Sequence, residues 1–123
     1  MISAMLTRTC IVLLGLLAAF AVPAAATAAT TEDCQAQISA LRVDTATVTT
    51  FASVKDQTGL LGKLDNASAA LAAGKNADAI RKLGDFRTKI QTLGSTGKLG
   101  AEDAARLDAG AATAAGCIES IDT

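Results

Sequence analysis

Three cysteines, twelve carboxylates and eleven lysine or arginine side chains are the reactive inventory of this chain, which contains no His, Tyr or Trp. Without imidazole, the usual general base and commonest metal ligand is missing. Without phenol or indole, nothing can stack strongly on sugars, bases or haem. Any chemistry must therefore come from thiols or paired carboxylates. The carboxylates are spaced for solvated helix surfaces. Asp78 precedes Lys82 by four residues and Asp85 precedes Lys89 by four, the order that favours surface pairs worth about 0.3–0.5 kcal/mol. Glu102 and Asp103 fall where a helix first turn favours anions, and Asp108, Glu119 and Asp122 continue the acidic character. No partner group converges on any of them, so no catalytic residue is assigned and the chain reads as a non-enzyme.

Metal and phosphate chemistry fare no better. Cys/His clusters with ligand spacing do not occur, and Asp56 and Asp65-Asn66 lack the twelve-residue loop of a calcium site. Gly94-Ser95-Thr96-Gly97-Lys98 has neither the preceding strand nor the glycine spacing of a phosphate loop, so it reads as a helix connector. Asn66-Ala67-Ser68 matches a glycosylation acceptor by chance, inside a helical pattern. No cofactor is expected, and a net charge of −1 argues against a nucleic-acid binder.

The thiols divide by location. Cys10 lies in an amino-terminal stretch with the form of a secretory signal: Arg8 supplies positive charge, Ile11 to Val22 is an apolar run, Pro23 ends it, and Ala24-Ala25-Ala26 offers small residues to a peptidase. Cleavage is expected after Ala26, with Ala28 and Ala29 as alternatives; the rival reading is an uncleaved membrane anchor, but a breaker followed by Ala-x-Ala suits a peptidase better than a bilayer. Residues 1–26 are thus a signal peptide and 27–123 the mature chain, exported and free of the membrane once cleaved. Cys34 and Cys117 remain. An exported chain with two cysteines is expected to be oxidised; the other readings are a redox pair, for which no Cys-x-x-Cys spacing exists, and free or intermolecular thiols.

Four stretches of helical periodicity must position these groups. The first carries Cys34, Ile38, Leu41, Thr45 and Val48, with Thr30 or Thr31 as cap, and is expected to survive the Thr-rich passage 45–50. The second runs from about Thr58 to Ala73 with Leu61, Leu64, Ser68 and Leu71 on one stripe, and Gly74 follows it. The third opens on Asn76 as N-cap, carries Ala79, Leu83, Phe86, Ile90 and Leu93, and closes at Gly94. The fourth carries Ala104, Leu107, Ala111, Ala114, Ile118 and Ile121. Short connections make sequential neighbours antiparallel. The expected fold is an all-α, antiparallel four-helix bundle, and its up-down-up-down order brings Cys34 and Cys117 to the same end, where one disulfide would close it. Gly62, Gly84, Gly110 and Gly116 each cost a helix about 1 kcal/mol relative to alanine; the last two form a flat small-residue face with neighbouring alanines, read as close helix approach within the bundle, and a docking surface is the alternative.

Charge is uneven between the last two helices. The third carries Arg81, Lys82, Arg87 and Lys89 against Asp78 and Asp85, while the fourth has five acids against Arg106. Mutual attraction explains this; a small basic patch of Arg81, Lys82, Arg87 and Lys89 facing anionic cell-wall polymer is the functional alternative.

Leu60-Leu61-x-x-Leu64-x-x-Ala67, Leu71-x-x-Gly74-Lys75, Ala79-x-x-x-Leu83-x-x-Phe86, Gly97-x-Leu99 and Ala104-x-x-Leu107 together resemble the FIMAH domain over about residues 48–121. That family is a small helical module appended to secreted bacterial hydrolases and other extracellular proteins. The resemblance implies an accessory role and transfers no catalytic residues. The chain departs from the family in being read as free-standing, in the extra amino-terminal helix with its cysteine pair, and in Gly100, which stands where a Ser or Thr cap belongs. The function expected is that of a non-catalytic secreted module binding an extracellular protein or cell-wall component. A small inhibitor of an extracellular enzyme is the alternative, and an apolar-ligand carrier a further one.

Overall fold

Thr30 opens the first helix by a reciprocal pair of hydrogen bonds: its hydroxyl accepts from the Asp33 N–H, and the Asp33 carboxylate accepts from the Thr30 N–H, both at 3.1 Å. In the computed structural model, which describes residues 29–122, this capping box leads into α1 (Thr31–Thr47), followed by α2 (Val54–Ala72), α3 (Asn76–Ser95) and α4 (Ala101–Asp122). No strand occurs among the described residues. The signal segment and Cys10 lie outside them.

Boundaries depart from the sequence-based expectations in physically informative ways. α1 stops at Thr47 and does not persist through the Thr-rich passage; Val48 is already extended. The β-branched run Val48-Thr49-Thr50 resists helix, and the Gln57 amide donates to the carbonyls of Thr45, Ala46 and Val48 at 2.9, 3.2 and 3.2 Å, satisfying groups that another turn would have occupied. α2 begins at Val54, earlier than Thr58, because the Ser53 hydroxyl accepts from the Lys55 and Asp56 N–H groups at 3.1 and 3.4 Å. Its buried stripe is Leu60, Leu64, Ala67 and Leu71, with Leu61 and Ser68 at the margins. Ser68 is drawn to the α1 seam by Gln35, whose Oε1 accepts from the Ser68 hydroxyl at 2.6 Å and whose amide donates to the Ser68 carbonyl at 3.0 Å.

The α2–α3 and α3–α4 connections share one device. Gly74 and Gly97 adopt φ of 78° and 77°, conformations that a glycine enters without strain. Lys75 N–H then reaches the Ala70 carbonyl at 2.9 Å, and Lys98 N–H the Leu93 carbonyl at 2.8 Å, each closing its helix by the Schellman pattern. Gly94 is thus not the terminator expected; the helix runs on to Ser95 and Gly97 takes that role. The first turn is so tight that Asn76 is already helical and Lys75 stands at the N-cap.

Each helix packs on its neighbours in sequence, and α1 also packs on α4; the diagonal pairs bring no Cα atoms within 8 Å of each other. Opposed ends meet throughout: the start of α1 with the end of α2 (Gln35–Ser68), the start of α2 with the end of α3 (Asp56–Lys89), and the end of α3 with the start of α4 (Gly94–Ala104). The result is the antiparallel four-helix bundle that the periodicity predicts. Phe86, Leu60, Leu64, Leu71, Leu83, Ile90, Leu107 and Ile118 fill its centre. The expected α3 positions Ala79, Leu83, Phe86, Ile90 and Leu93 are all buried, as are Ala104, Leu107, Ala111, Ala114 and Ile118 of α4; Ile121 is partly covered.

Candidate functional site

Cys34 lies one turn into α1 and Cys117 just over a turn before the end of α4. Antiparallel packing of the first helix on the last brings their Cα atoms to 5.6 Å and joins the sulfurs at 2.11 Å. The bond sits against the core, with Cys34 fully buried. It is therefore a staple between the chain's two ends, and its thiols are consumed.

At the opposite end of the bundle, the segment that follows α1 is tied to the start of α4 without covalent chemistry. The Thr50 hydroxyl accepts from the Gly100 N–H at 3.1 Å and donates to the Asp103 carboxylate at 2.6 Å. Gly100 is the residue before α4 and Asp103 its third, so Thr50 completes from a distance the bridge that a local capping box makes directly. This explains the missing Ser or Thr at position 100: a Cβ there would stand 2.9 Å from Thr50 Oγ1 and 3.2 Å from its Cβ. The Thr50 hydrogen bond, then that of Arg106, hold the Asp103 carboxyl below the usual carboxylate range. Ala52 N–H to the Lys98 carbonyl, 2.9 Å, joins the two loops.

The charged residues are dispersed into pairs. Arg81 bonds Asp78 within α3, Arg87 reaches Asp108 on α4 at 2.8 Å, and Lys89 reaches Asp56 on α2 at 3.4 Å. The pairs expected between Asp78 and Lys82 and between Asp85 and Lys89 do not form. An arginine one turn away, at i+3, captures Asp78, and a carboxylate on the neighbouring helix captures Lys89. Of the four residues of the basic patch, Arg87 and Lys89 thus turn to opposite neighbours, and three of the four carry a carboxylate partner. Arg87, helped by Gln91, keeps the Asp108 carboxyl below its ordinary range against the opposing effect of burial.

Glycine roles are equally specific. A Cβ on Gly94 would lie 2.8 Å from the Ala104 Cβ, and one on Gly110 would lie 2.9 Å from Leu41 Cδ1. Close approach is therefore real at Gly110, and also at Gly94, which the sequence suggested only as a terminator. Gly62, Gly84 and Gly116 face open space instead, so the small-residue face of α4 is not an intramolecular seam at Gly116.

Two open grooves run along the α4 seams. One, of about 250 Å³, lies against α3 between Gly94, Ala101, Ala104 and Asp108. The other, of about 220 Å³, lies against α1 between Gln37, Ala40, Leu41, Asp44, Gly110 and Thr113. Among the described residues no cluster of three potential metal ligands exists, and no helix is long and apolar enough to cross a membrane. Comparisons with protein families, with characterised proteins and with solved structures return no match to this chain. The class is thus defined by its architecture: a disulfide-closed antiparallel four-helix bundle.

Sequence reasoning did not find Thr50, Gln57 or Gln37. Gly100 carried the one usable signal, since a glycine at a cap position asks what else caps the helix.

Proposed function

We propose that the protein is an exported, non-catalytic accessory module that binds another extracellular protein or a cell-wall component. The observation that carries this reading is how its polar groups are spent. The titratable side chains lie on helix surfaces, where many are engaged in ion pairs and caps, while the converging positions of the bundle are apolar. Such an interior presents a rigid exterior and no reagents. A staple linking the first and last helices suits an oxidising compartment, as does the amino-terminal signal pattern. The resemblance to FIMAH modules adds the same accessory role. The processed, oxidised protein, immobilised and exposed to culture supernatant and cell-wall fractions, is expected to retain a specific partner. Capture of nothing above background, together with turnover of a substrate by the protein alone, overturns the proposal.

A further inference from the structure

Charge divides this bundle by helix pair. α1 and α4 together carry eight acidic and two basic side chains, whereas α2, α3 and the turn between them carry four acidic and seven basic ones. Both cations of the acidic pair are already committed: Arg42 turns to Asp65 on α2 at 2.7 Å, and Arg106 to Asp103 at 2.7 Å. The α1–α4 groove opens between these acidic helices, and its polar lining offers oxygen acceptors. Gln37 Oε1 is buried without a hydrogen-bond partner. The Asp44 carboxylate has no ion pair among the described residues. The Thr113 hydroxyl donates to the Ala109 carbonyl at 3.0 Å, so it faces a ligand with lone pairs. The floor is apolar, formed by Leu41 lying against Gly110.

We propose that this groove receives a lysine or arginine side chain from a basic segment of a protein partner. The aliphatic stem lies on Leu41 and Ala40, and the cationic head donates to Asp44 and to the orphaned Gln37 oxygen. The match is one of kind: an unpartnered carboxamide oxygen, negative charge without a counter-ion, and an apolar floor that suits a methylene stem. The inference rests on the accessory-module reading and names its partner's chemistry.

The test titrates hexalysine, with fully acetylated hexalysine as control, into the oxidised, isotope-labelled protein at low salt while amide chemical shifts are followed. Shifts should concentrate at Gln37, Asp44, Gly110 and Thr113 and be absent with the acetylated peptide. Asp44→Asn should weaken binding by about tenfold, Gln37→Leu should weaken it less, and Glu119→Gln, an equal charge change at an exposed site on α4, should leave it within about twofold. Asp44 is exposed, so its substitution leaves the core intact. Equal weakening by Asp44→Asn and Glu119→Gln, or shifts spread over every acidic residue, overturns the groove as a site. So does self-association through these residues that hexalysine fails to displace. If a natural partner is captured equally well by Asp44→Asn, the groove alone fails. If none is captured while hexalysine still seats there, the accessory reading fails and the groove stands.

Discussion

The two ends of the bundle solve one mechanical problem by different chemistry. At one end Cys34 and Cys117 join α1 to α4 covalently. At the other, the Thr50 hydroxyl joins the loop after α1 to Gly100 and Asp103 at the start of α4, while Gln57 gathers the last carbonyls of α1. A covalent tie tolerates loose surroundings, because it restrains the unfolded chain as much as the folded one. A polar tie works only if its atoms meet within a few tenths of an ångström. Two glycines at the polar end are accordingly crowded, Gly94 against Ala104 and Gly100 against Thr50, while Gly97 between them is open and serves the turn through its positive φ. Gly116, one residue from the disulfide, faces open space.

The largest break in this comparison is removal of the staple. Replacing Cys34 and Cys117 together by alanine should cost up to about 4.5 kcal/mol in the chain-entropy model for a closure spanning 83 residues. The measurement is urea unfolding of the oxidised wild type against the variant. A loss below about 1 kcal/mol would mean that the polar end restrains α1 and α4 nearly unaided.

Gly100→Ala comes next. The added methyl must displace Thr50, whose hydroxyl is fixed from two sides, so the variant should lose about 1–3 kcal/mol. The same substitution at Gly116 meets no atom within 4 Å and removes a helix-interior glycine, so it should stabilise by about 0.5–1 kcal/mol. Opposite signs for one methyl at the two ends, read from thermal unfolding, are what the comparison demands; equal signs would erase it.

The disulfide end was legible in the sequence because its signals are rare or periodic. Two cysteines following a signal-like segment have few alternatives, and Cys34 and Ile118 fall in register with apolar stripes that the structure buries. The core of α3 was legible for the same reason. α2 was harder: Leu60 and Leu61 are adjacent and either stripe fits; packing buries Leu60 and Ala67 and leaves Leu61 and Ser68 at the margins. The polar end was illegible except at Gly100. Thr50 and Gln57 act over separations of 53 and 12 residues, and nothing in a lone threonine or glutamine announces a distant partner. The α1–α4 groove escaped notice because it depends on where Leu41 meets Gly110, a property of helix rotation and not of composition.

The smallest expected effect isolates what the Thr50 hydroxyl does. Thr50 is the leading cause of the depressed Asp103 pKa, with Arg106 second. A carboxyl whose folded pKa lies below its unfolded value contributes stability that is complete above about pH 4 and is lost as the pH falls through the folded value. Thr50→Val removes the hydroxyl at nearly constant shape and returns Asp103 toward its ordinary range. Wild type and variant should therefore differ most at neutral pH, and the difference should shrink, as acid protonates Asp103 in both, to the remainder left by the Gly100 N–H bond. The Arg87–Asp108 pair contributes its own acid dependence equally to each protein and cancels in the difference. Urea midpoints from pH 7 down to pH 2 give the comparison directly. A constant offset at every pH would assign the hydroxyl's whole effect to the Gly100 N–H and none to the carboxylate, leaving the polar end with a neutral cap in place of a charge-assisted bridge.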